Sequence, residues 1–150
     1  MRWLLAFLLI AVLALGVSAN TADEPLEALK ARAESARPQD QAPLFAAISR
    51  REVNEADRFY NEGDIAKAKQ AVDDVVLYAG RAGEAAQKSG KHVKNTEISL
   101  RETARRLDDL RKTLGFEERP YVEAAVKEVE KHRQKLLEHM FGPQSKESKK

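Results

Sequence analysis

Ile65, Ala68, Val72, Val75, Val76 and Ala79 recur at intervals of three and four residues. That spacing puts them on one side of an α-helix and on both sides of a strand, so only a helix can bury them together. The same kind of stripe returns along the chain. Leu44, Phe45, Ile48, Glu52, Ala56 and Phe59 mark one face of a preceding segment. Val93, Leu100, Ala104, Leu107, Leu110 and Leu114 mark a following one. Val122, Ala125, Val126, Val129, Leu136, Leu137 and Met140 mark the last. A shorter stripe, Leu26, Leu29, Ala33 and Ala36, comes first.

Glycine and proline fall between these segments, where helices must stop. Arg37-Pro38 ends the first, and Pro38 to Pro43 reads as a short polar linker. Gly63 closes the second and Asp64 caps the third. Ser89-Gly90 and Gly115 close the third and fourth. The expected helices are Thr21 or Pro25 to Arg37, Pro43 to Asn61, Asp64 to Lys88, Lys91 to Leu114, and Glu118 to about residue 141. Thr21 with Glu24 has the spacing of a capping box for the first. No alternating apolar-polar run argues for a strand. Each long stripe needs partners, and short connections make consecutive helices antiparallel. The expected fold is all-α: an antiparallel up-down bundle of four main helices, with a short first helix added.

The third helix ends in small residues: Ala79, Gly80, Ala82, Gly83, Ala85 and Ala86. Glycine costs about 1 kcal/mol inside a helix, so this end is expected to taper against its own neighbours rather than present a site.

Upstream of all this, Trp3 to Leu15 is an apolar run behind Met1-Arg2, followed by small residues at Val17 and Ala19. This is the pattern of a secretory signal, with cleavage expected between Ala19 and Asn20. The alternative is a retained membrane anchor over residues 3–19, because the stretch stays uncharged to Ala22. The expected organisation is a signal at 1–19, a helical domain at 20–141 and a polar basic tail at 142–150. Export, to the periplasm or outside the cell, is the expected location. The chain has no cysteine, which removes lipidation and disulfides. Without residues 1–19, Arg2 is lost and the net charge falls from +2 to about +1, too balanced to specify an electrostatic partner.

Residues 56–71, ADRFYNEGDIAKAKQA, resemble the middle of a tetratricopeptide repeat. Phe59 and Tyr60 stand where that repeat has an aromatic pair. Gly63 and Asp64 stand at its turn, and Ala68 where an alanine packs between two helices. The resemblance covers half of one repeat. It implies a helical hairpin packed through small residues and carries over no functional residue.

Chemical signatures are sparse. Glu128, His132 and His139 share a helix face, but residues seven apart lie about 10 Å apart along the axis, too far to converge on one zinc ion. They read as solvated side chains, and His92 as exposed. Asp73-Asp74, Asp108-Asp109 and Glu117-Glu118 are adjacent pairs that point apart on a helix. No nucleophile elbow or phosphate loop is present. Arg101, Arg105, Arg106, Arg111 and Lys112 form a basic run. Glu97, Glu102 and Asp108 stand one turn before Arg101, Arg106 and Lys112, so the run reads as an ion-paired face rather than a nucleic-acid surface.

The expected function is therefore a non-enzymatic module that binds another protein or itself, with Phe59, Tyr60, Tyr78 and Tyr121 as candidate contacts. No cofactor, metal, small-molecule ligand or nucleic acid is expected. Weak contact with a membrane surface is expected only through the tail lysines, Lys146, Lys149 and Lys150, or a retained anchor.

Overall fold

A computed structural model of the protein describes residues 24–142. The described residues form five α-helices and no strand. They are α1 (Leu26–Ser35), α2 (Pro38–Glu62), α3 (Ile65–Ser89), α4 (Val93–Thr113) and α5 (Arg119–Phe141). Residues 1–23, which hold the expected signal and Thr21, and residues 143–150 of the expected basic tail lie outside the described residues.

Gly63, Asp64 and Gly90 act by the chemistry anticipated for them, whereas α4 ends on an extended Leu114 before Gly115, with no left-handed glycine. Gly63 is left-handed at φ 78°, and its amide bonds back to the end of α2. The Asp64 carboxylate then accepts from the Lys67 amide at 3.1 Å, satisfying a free amide of the first turn of α3. Gly90 closes α3 in the same left-handed state. Two expectations need correction. The segment Pro38 to Pro43 is not a linker: it is the start of α2. Pro38 takes the first helical position, where its missing N–H costs nothing, and Pro43 lies close enough to the start to forfeit one hydrogen bond. The small-residue end of α3 packs against its neighbours as expected, but it does not taper. It continues as helix to Ser89, with Ala79, Gly80, Ala82, Gly83 and Ala86 buried.

Contacts between named residues fix the direction of every helix. Phe45 meets Tyr78, the Ser49 hydroxyl donates to the Val75 carbonyl at 2.8 Å, and α2 and α3 are therefore antiparallel. Arg133 pairs with Glu97 at 2.7 Å, so α5 folds back on α4. Lys69 pairs with Glu118 and Tyr121 bonds Asp73, while His132 lies against Gly80. These contacts rise together along both helices, so α3 and α5 run parallel. Arg106 likewise meets Asn54 across a parallel α2 and α4. Among the described residues none of α2 comes within 8 Å of α5, Cα to Cα.

The arrangement is two antiparallel hairpins laid side by side, like helix against like. α1 lies on the free flank of the first hairpin, held by Lys30 to Asp74 of α3 and by Glu34 to Arg81 of α3. One apolar core runs through α2 to α5, around Val72, Val75, Leu100, Leu107, Val129 and Leu136. A second, around Leu29, Phe45, Ile48 and Tyr78, lies under α1.

Candidate functional site

Val17, Ala19 and Asn20, the expected cleavage residues, lie outside the described residues. Of the four aromatic candidates, Tyr78 is only 8% exposed and packs on Phe45 in the core beneath α1. Arg81 lies over both rings. It has no outward face to offer a partner.

The other three converge on the end of the molecule that carries the Gly63 turn and the loop between α4 and α5. Phe59 is half-buried, with the Arg58 guanidinium 4.2 Å and the Lys67 ammonium 5.7 Å from its ring centre. The Tyr121 hydroxyl donates to Asp73 at 2.5 Å, which pushes its pKa up to about 12. The Tyr60 hydroxyl is buried without a hydrogen-bond partner. Burial, with the charges of Glu118 and Asp73, pushes it up to about 12 as well. Both phenols are neutral at physiological pH and serve as rigid apolar bodies with one polar atom.

At this same end stands Phe116, 88% exposed. It was not singled out in the sequence, although an aromatic beside Gly115 in a polar loop is a readable signal. Along the flank between α3 and α5, from Tyr121 in the first turn of α5 to Glu128, runs a cleft of about 260 Å³ lined also by Val72, Asp73, Val76, Ala124 and Ala125. Leu77, 53% exposed, follows on α3.

The histidines divide. His139 and His92 are exposed. His132 is half-buried, not solvated: its ring occupies the notch left by Gly80, where an added Cβ would meet it at 3.0 Å. Burial holds its imidazole below the usual range. Lys135 and Lys131 act in the same direction, and Glu128 and Glu84 oppose them. Among the described residues no three His, Cys, Asp or Glu side chains converge on a metal-sized site.

Three members of the basic run on α4 are ion-paired, Arg105 with Asp109 and both Arg111 and Lys112 with Asp108, but the other pairings that the spacing predicts do not form. Asp108 does meet Lys112 at 2.8 Å. Glu97 turns inward to Arg133 of α5 instead of Arg101, and Arg106 bonds the Asn54 amide of α2 instead of Glu102. These tie the helices together rather than decorate a surface. A further charged group was hidden in the apolar stripe of α2. Glu52, 3% exposed, meets Lys30 at 2.7 Å, and Lys30 also reaches Asp74 at 3.2 Å. Burial raises the Glu52 carboxyl, with Lys30 working against it. Burial disfavours the Lys30 ammonium too, but the two carboxylates outweigh this and hold it above its usual range.

No protein-family model, curated protein or solved structure matches the chain.

Proposed function

We propose that this protein is a non-enzymatic interaction module whose contact surface is the end bearing Phe116, and that its first partner is a second copy of itself. The observation that carries this reading is Phe116. A phenylalanine left almost wholly in water forgoes about 2 kcal/mol of burial, and a cleft of about 260 Å³, large enough for such a ring, lies between α3 and α5 of the same chain, starting at Tyr121. A knob and a hole on one surface are self-complementary, as a two-fold interface requires. The ring of Tyr121 flanks the contact, while Phe59, at the same end, lines the groove on the α1 side of α3. Tyr60 supports it from beneath.

In this reading the chain works outside the cytoplasm, on the strength of the sequence of residues 1–19. The alternative is a membrane-tethered helical spacer that retains residues 3–19, supported by the uncharged stretch from Trp3 to Ala22. The first residue of the purified protein separates the two: Asn20 for cleavage, Met1 for the tether.

Gel filtration over a hundredfold range of concentration tests the contact. The wild-type chain is expected to shift from monomer to dimer, and Phe116→Ser to stay monomeric. A wild-type chain that elutes as a monomer throughout contradicts self-association.

A further inference from the structure

The opposite end of the molecule carries a different surface. Between the first half of α2 and the start of α4 lies a recess of about 270 Å³, lined by Pro43, Leu44, Ala46, Ala47, Arg50, His92, Asn95, Thr96 and Ser99. At about 30 Å³ per water this is room for roughly nine waters, or for a short hydrocarbon chain. Its α2 wall is apolar except for Arg50. From Pro43 to Arg50 that wall runs about 10 Å along the helix axis.

Arg50 is the exception among the half-buried arginines. Arg32 pairs with Glu24, Arg81 with Glu34, Arg111 with Asp108 and Arg133 with Glu97, while Arg51 bonds the Glu24 carbonyl and Arg106 the Asn54 amide. Of these half-buried arginines, Arg50 alone makes no hydrogen bond or ion pair among the described residues. A guanidinium presents five donors in a planar fork, and none is used here. On the facing wall, Thr96 is 2% exposed and its hydroxyl has no hydrogen-bond partner.

The start of α4 adds to this. His92 is its N-cap at φ 61°, a left-handed state that is unfavourable for a non-glycine residue. Its side chain makes no capping hydrogen bond, so the first-turn amides keep their positive potential at the recess. The unpaired guanidinium, the orphan hydroxyl, the uncapped helix start and the backbone strain all fall on one apolar recess.

We infer that this recess binds a small amphiphile, an apolar chain bearing a carboxylate, with the chain against Leu44, Ala46 and Ala47 and the carboxylate on Arg50. The charge selects an anion, because no carboxylate side chain lines the recess. The walls select an attached hydrocarbon. This site is separate from the Phe116 surface and does not depend on it.

The test is a titration of the protein purified after export, followed by the methyl resonances of Leu44, Ala46, Ala47 and Thr96. Three probes are compared: octanoate, octanol and acetate. Octanoate is expected to saturate below its micellar range and to shift these methyls, with octanol weaker and acetate without effect. Arg50→Gln should weaken octanoate binding about tenfold, the loss of one charge-assisted contact, and Arg50→Lys should recover part of it. Ser99→Leu, which fills the recess from the α4 side, should block binding with Arg50 intact. The proposal is overturned if octanoate does not saturate, if it shifts methyls elsewhere, or if Arg50→Gln binds it as the wild type does.

Discussion

Lys30 and Glu52 show how a charged residue can sit in an apolar stripe. Two charges withdrawn from water gain little net stability as a pair, but breaking such a pair is costly because the survivor stays buried. Lys30→Met is therefore expected to destabilise the chain by about 3 kcal/mol, since it strands the Glu52 carboxylate. The double variant Lys30→Met/Glu52→Leu should recover most of that loss. Urea unfolding of the two variants checks this, and equal losses would contradict it. His132 adds a pH dependence. Its folded pKa lies below the ordinary 6.5, so the folded state binds fewer protons than the unfolded one. The stability it protects is complete above 6.5 and is lost as pH falls through that value toward the depressed one. Unfolding at pH 7.5 and 5.5 should show a larger drop for the wild type than for His132→Gln. Matching drops would remove His132 from the account.

At the scale of elements, much of the pattern was readable in advance. The three-four stripes located α3, α4 and α5, because a long amphipathic period has no other use. Gly63, Asp64 and Gly90 marked ends through local backbone chemistry that needs no tertiary partner. Pro38 to Pro43 misled because proline reads as a breaker unless the helix starts at it, and that start is stabilised by packing of Ala42 and Phe45. The pairings of Glu97 and Arg106 were not legible either. Spacing along one helix says nothing of a competitor on the next, and Arg133 and Asn54 come from other elements. His132 against Gly80 belongs here too, since it decides how closely α5 approaches α3. Gly80→Ala should gain about 1 kcal/mol of helix propensity in a His132→Ala background, where the notch is open. In the wild type the ring has to move and the gain should shrink or reverse. A double-mutant cycle with no coupling between the two sites would contradict the contact.

For the whole molecule, the all-α class followed from the sequence, while the order of packing did not. Short connections make consecutive helices antiparallel in a closed four-helix ring and in a stack of two hairpins alike. Only long-range contacts choose between them, and here α2 lies beside α4 and not beside α5. The stack gives the molecule two separate surfaces. Phe116 lies at the end with the Gly63 turn, with the α3/α5 cleft running from Tyr121 along the flank to Glu128, and the Arg50 recess lies near the start of α4. Of the aromatic candidates, Phe59, Tyr60 and Tyr121 lie at one end, whereas Tyr78 is drawn into the core under α1. Arg50 carried no sequence signal, since an arginine shows its lack of a partner only once the neighbours are in place. The central claim is that the Phe116 end is the contact surface. Amide hydrogen exchange at low and high protein concentration tests it most directly. The account predicts slower exchange at high concentration in residues 115–118 and the first turn of α5, lost in Phe116→Ser. Exchange there that is independent of concentration, or protection that appears elsewhere, would contradict it.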